Sequence, residues 1–152
     1  MRFGWLFVVL ELGLALAGCA RDGAADLLPG VRLGMSPRDV RDRFDGGGEG
    51  AWQTKVGGGP GASDDTVLEW SASAPTSRAT HARFEFHLGM LVAIRAHLRE
   101  VSVRRSTVDL TPKTVSLQSA GPPEAGGTDV TILARDCPTH HDEAESLASK
   151  AR

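Results

Sequence analysis

The chain has 152 residues and a formal net charge of −2 at pH 7, with 17 Lys and Arg against 19 Asp and Glu. That balance gives no electrostatic basis for binding nucleic acid or for adsorbing to an anionic surface. Tyrosine is absent and aromatic residues are few, so a core has to be built mostly from Val, Leu, Ile and a handful of Phe.

The N-terminus is organised for export. Arg2 supplies a positive n-region, Phe3 to Leu16 an apolar stretch, and Ala17-Gly18 the small residues that fit a peptidase pocket. The stretch is too short to span a hydrocarbon core about 30 Å thick, which takes about 20 apolar residues. It ends in Leu16-Ala17-Gly18-Cys19, which resembles the lipobox of bacterial lipoproteins. That resemblance implies a signal peptide over 1–18, with Cys19 as the first mature residue, carrying a thioether-linked lipid and an acylated amine. Several acyl chains anchor stably where one binds only marginally. Ala20 after the cysteine implies the outer membrane, with the protein facing the periplasm. A plain secretory signal cleaved nearby, with Cys19 incidental, is the alternative. If Cys19 is lipidated, Cys137 is the remaining thiol and the mature chain has no internal disulfide.

Residues 19–30 read as a small, polar tether, followed by a single α+β domain over 31–152. Ser36 is a suitable N-cap, Pro37 fits the first helical position and Asp39 completes a pair resembling a capping box. Met35 can staple against Val40, and Val40 and Phe44 share one face, so a short helix is predicted over 37–44. Arg38, Arg41 and Arg43 interleave with Asp39, Asp42 and Asp45 and read as a solvated ion-pair face.

Residues 45–63 contain two runs of three glycines and read as a mobile loop, with 51–56 inside it as a short strand or helical turn. The glycines neither follow a strong strand nor open a helix, so a phosphate cradle is not indicated and no cofactor is expected. Strand composition follows at Thr66 to Trp70. Ala82, Phe84 and Phe86 alternate with Arg83, Glu85 and His87. After a turn at Leu88-Gly89, Val92, Ile94, Ala96 and Leu98 alternate with Arg95, His97 and Arg99, which predicts a hairpin. Thr114 to Gln118 and Asp129 to Ala134 are predicted as a further strand pair. Thr139 caps a short C-terminal helix with acids in its first turn. The predicted fold is α+β: a short N-terminal helix, an antiparallel sheet of about four strands and a short C-terminal helix over or beside it.

Val31-Arg32-Leu33-Gly34-Met35-Ser36-Pro37-Arg38-Asp39-Val40 resembles the Gly-Met-Ser/Thr-x-x-x-Val signature of the small BamE-like (SmpA/OmlA) lipoproteins. Trp70 and the run from Phe84-Glu85-Phe86 to Gly89-x-Leu91-Val92 resemble their later strands. The likeness covers roughly residues 31–98, and Arg43-Phe44-Asp45-Gly46 stands where members carry Leu-Gly-x-Pro. It implies a short helical element on an antiparallel sheet, and a role in outer-membrane protein assembly. Related domains occur in β-lactamase-inhibitor-like proteins.

No catalytic constellation stands out. Gly-x-Ser-x-Gly is absent, Ser36 is used as a cap, and no carboxylates pair in an apolar setting. The one chemical cluster is Asp136, Cys137, His140, His141 and Asp142. Cys137 and His140 are spaced to share a metal, with His141 as a further ligand, and Cys137 near a helix start can have a lowered thiol pKa. The plain alternative is a capped helix start with exposed histidines and a half-buried Cys137. His81, His87 and His97 are scattered over strand surfaces. The sequence therefore points to a non-enzymatic lipoprotein attached to the membrane through Cys19 and working on a protein partner in envelope assembly. The alternatives are a small ligand- or metal-binding module at Cys137 and His140, or an inhibitor of an envelope enzyme.

Overall fold

A computed structural model describes residues 28–57, 65–99, 107–110, 113–120 and 126–150. Cys19, the signal peptide and most of the tether lie outside these residues. The elements are α1 (Pro37–Arg43), β1 (Gly50–Val56), β2 (Thr66–Ala72), β3 (Ala79–His87), β4 (Met90–Leu98), β5 (Thr107–Leu110), β6 (Thr114–Ala120), β7 (Thr128–Ala134) and α2 (His141–Ser149). The α+β class is as expected, but the sheet has seven strands in the order β1-β2-β3-β4-β7-β6-β5, where about four were predicted. All neighbours are antiparallel.

Two strands account for most of the shortfall. β1 lies inside the segment read as a mobile loop, where 51–56 reads as a short strand or a helical turn; the strand is what forms. Its glycine-flanked sequence Gly-Ala-Trp-Gln-Thr-Lys-Val is mostly exposed, so it lacks the buried stripe that marks a strand. The four-residue β5 is too short to show a period.

The helices pack on opposite faces of the sheet. One face carries Leu68, Trp70, Ala82, Phe84, Ile94, Ala96, Val130 and Ile132, and against it pack Leu28, Val31 and Val40. Leu28, at the end of the tether, is thus part of the core. The other face carries Ala93, Leu133 and Val115, which meet Ala144, Leu147 and Ala148 of α2. Adjacent residues of β4 (Ala93, Ile94) and of β7 (Ile132, Leu133) are therefore buried on opposite sides, as expected for central strands covered twice.

Helix α1 starts as its sequence dictates. Ser36 Oγ accepts the Asp39 N–H at 3.2 Å and donates to Asp39 Oδ2 at 2.7 Å, and that hydrogen bond holds the Asp39 carboxyl below its ordinary pKa. Val40 is buried and Phe44 ends the helix. The Phe44 ring meets Phe84, Trp70 and Trp52 edge-on, with centroids 5.0, 5.2 and 5.8 Å away.

The β3–β4 hairpin turns at Leu88 (φ 50°) and Gly89 (φ 74°), both in the left-handed region that two-residue hairpin loops require. A register shift between Glu85 and Phe86 sets Leu91, not Val92, opposite Phe86. Leu91 takes the inner position and Val92 is only half-buried.

The first glycine run is not a loose loop. Gly46 and Gly50 lie against the Trp70 indole so closely that a Cβ on either would fall inside van der Waals contact with the ring. Gly46 O also accepts the Ala79 N–H at 2.9 Å. Glycine is needed here for close approach, not for freedom. Gly50→Ala is expected to cost about 1–3 kcal/mol, the range for forcing extra volume into a packed site. A urea melt measures it, and a cost within about 0.5 kcal/mol, the usual range for a surface change, would contradict this packing.

Candidate functional site

The segment singled out for chemistry forms the entry to α2. Cys137 is a free, buried thiol. Its N–H donates to Ala134 O at 3.3 Å, and its carbonyl accepts the His140 N–H at 3.1 Å, so the residues between them form a tight turn. His140, not Thr139, is the N-cap of α2, and no side-chain bond caps the helix. His140 is buried, contrary to the expectation of exposed histidines; its side chain is 10% exposed. Its ring points at carboxylates: Nε2 lies 3.4 Å from Glu85 Oε2, and Nδ1 lies 3.7 Å from Glu143 Oε2. His141 turns elsewhere, with Nδ1 3.3 Å from Arg135 O. Among the described residues no group of three or more His, Cys, Asp or Glu side chains is placed to hold a metal. Sequence spacing put Cys137 and His140 together, whereas the fold turns the imidazole onto β3.

His140 is the end of a charge ladder that crosses the sheet. Lys55 on β1 meets Glu69 on β2 at 2.6 Å. Arg83 on β3 reaches Glu69 at 2.8 Å and Glu85 at 3.0 Å. Arg95 on β4 donates to Glu85 and, at 2.6 Å, to Glu143 on α2. These residues share a face because the side-chain period of a strand is two and the registers align Glu69 with Arg83 and Arg83 with Arg95. Arg83 and Arg95 are directly opposed like charges, and Glu85 accepts from both.

No family model, curated protein or solved structure matches the chain. The chemistry of the face therefore has to be read from its own geometry. Lys55, Arg83 and Arg95 are matched by Glu69, Glu85 and Glu143. Local charge is neutralised inside the ladder, so little field is left to draw in an ion. Each carboxylate is also paired with a permanent cation. This arrangement straps strands and helix together.

The hydrogen bond from Lys55 is the main cause holding the Glu69 carboxyl below its ordinary pKa; burial opposes it, and Arg83 adds to it. The hydrogen bond to Glu85 likewise raises the Arg83 pKa. Because the folded Glu69 value is depressed, its contribution is complete above the unfolded carboxylate pKa and is lost as pH falls through the folded one. Urea melts between about pH 6 and about pH 3 are expected to show a steeper loss of stability for the native chain than for Glu69→Gln. Parallel profiles would show that the carboxylate is not linked to folding.

The remaining histidines are not all free on strand surfaces. His97 is buried, with Nδ1 2.7 Å from Asp129 Oδ1, and its ring stacks on His81 at 6.0 Å and 7°. His87 pairs with Asp65 at 2.7 Å. The sequence carried one signal for the ladder, the Arg and Glu alternation on β3. It carried none for the role of Glu143, which depends on where α2 docks.

Proposed function

We propose that the chain is a lipoprotein of the bacterial envelope, anchored through Cys19 to the outer membrane and facing the periplasm, and working by protein contact in envelope assembly rather than by catalysis. The observation that carries this reading is the sequence Leu16-Ala17-Gly18-Cys19 directly after a positive, apolar leader. The signature at Gly34-Met35-Ser36 with Val40 is consistent with it: its residues cap and seat a short helix on an antiparallel sheet, the arrangement that the BamE-like resemblance implies. The ladder on the opposite face serves stability, which leaves the work of the molecule to its position and its surface.

The deciding experiment is mass spectrometry of the mature N-terminus from membranes. The expected species begins at Cys19 with a thioether lipid and an acylated amine. Intact Met1, or an unmodified Cys19, overturns the localisation. Crosslinking before detergent extraction then tests the contact role, and recovery of the bare chain alone counts against it.

A further inference from the structure

The open edge of the sheet carries an inference that does not depend on the lipid anchor. Among the described residues β1 pairs on one side only, with β2. Its seven residues keep an unbroken register against β2 and include no proline. Natural edge strands are normally short, bulged, proline-bearing or guarded by charge. The one charge on β1, Lys55, is drawn off to Glu69 at 2.6 Å.

The hydrogen bonds at the two ends of this pairing fix which groups face out. Gly57 N–H donates to Asp65 O at 2.8 Å, and Ser73 N–H donates to Glu49 O at 2.9 Å. Bonded and non-bonded pairs alternate in an antiparallel ladder. The odd-numbered residues of β1 therefore exchange bonds with β2, and Gly50, Trp52, Thr54 and Val56 turn their N–H and C=O groups outward.

We infer that this edge is completed by β1 of a second copy of the chain, in an antiparallel, two-fold register in which Gln53 faces Gln53. Only that register overlaps all seven residues and sets every outward bonding residue opposite another: Trp52 against Thr54, and Gly50 against Val56. No like charges are opposed, since Lys55 falls against Ala51. Trp52 and Thr54 make an aromatic and β-branched cross-strand pair, a favourable combination. Val56, 67% exposed in the single chain, comes to lie opposite Gly50, whose side-chain position is taken by the Trp70 indole. Arg41 of α1 stays with β1 of its own chain, donating to Thr54 Oγ1 and lying 5.8 Å over Trp52. The far edge, β5, has four residues. Pairing β1 with it would overlap less and would propagate as an open chain of copies, whereas pairing β1 with β1 closes as a dimer.

The test uses the full chain in detergent micelles, with three single substitutions. Sedimentation over a concentration series is expected to show a dimer. Gln53→Cys is expected to form a disulfide dimer readily, because a non-bonded pair sets the two Cα atoms within bridging distance. Lys55→Cys is not, because its two copies fall about 13 Å apart at about 3.3 Å per residue. Thr54→Pro removes an outward N–H that β2 does not use, so it is expected to give a monomer with unchanged circular dichroism. If that variant fails to fold, the contrast between Gln53→Cys and Lys55→Cys decides. A monomer across the series, equal crosslinking of the two cysteine variants, or a folded Thr54→Pro that still dimerises overturns the inference. So does a monomer in which the Trp52 and Thr54 amides exchange slowly, which would assign the edge to another segment or partner.

Discussion

Phe84→Ala is expected to lower the unfolding free energy by about 3–5 kcal/mol, the range for deleting a buried aromatic ring. Phe84 is fully buried on β3, between Leu68 on β2 and Ile94 on β4. Its ring lies 5.0 Å from that of Phe44 and 5.8 Å from that of Trp52, so it joins α1 to both ends of the aromatic cluster. Alanine removes those contacts from a site held by strands on both sides, which relax little into the space. Against a total stability of about 5–15 kcal/mol, this is a large fraction, and for a domain of this size it corresponds to a fall in Tm of about 10–20 °C. Urea and thermal melts measure it, with Met90→Ala, at a 52% exposed residue beside the hairpin turn, as a control expected within about 0.5 kcal/mol. A loss below about 1 kcal/mol would mean that the cluster does not hold α1 on the sheet.

Cys19→Ala is expected to abolish lipid incorporation altogether. The described residues contain no helix long and apolar enough to cross a membrane, so on the proposed reading attachment after processing rests on the acyl chains alone, each buried methylene contributing about 0.8 kcal/mol. Metabolic labelling with a radioactive or clickable palmitate should mark the native chain and leave the variant unmarked, with its melting curve unchanged. Label retained by the variant would place the lipid elsewhere or show that Cys19 is incidental. The two predictions are independent: the first tests how the domain is built, the second where it is held.

The parts of the fold legible in the sequence are those where one local pattern carries the signal. Ser36-Pro37 and Asp39 announce α1, and the alternation of Ala82, Phe84 and Phe86 announces β3. What was not legible depends on distant partners. A glycine can mean conformational freedom or close approach, and only the position of Trp70, beyond the whole of β1, shows that Gly46 and Gly50 serve the second purpose. Val92 was read as inward because alternation continues through the hairpin, but the shift at Phe86 moves Leu91 into that place. Of the candidate site, the spacing of Cys137 and His140 suggested shared chemistry, yet the imidazole is aimed at Glu85 and Glu143. Nothing near His140 in the sequence records that β3 passes beneath it. Edge strands such as β1 stay obscure for a further reason: exposure on both faces removes the hydrophobic period by which strands are recognised.

The strand order β1-β2-β3-β4-β7-β6-β5 also has a consequence in time. The first four strands pair with their immediate neighbours in sequence, through contacts that close quickly, and β5, β6 and β7 do the same among themselves. The seam between β4 and β7 joins two such units and pairs Ala93 with Leu133 and Leu98 with Thr128, across a long intervening stretch. Closing that stretch costs chain entropy before it is rewarded by burial. The seam is therefore expected to be the late, rate-setting step of folding. Until it forms, Ile94 and Ile132 are exposed on two half-built sheets, the stage at which the chain is most open to misassembly.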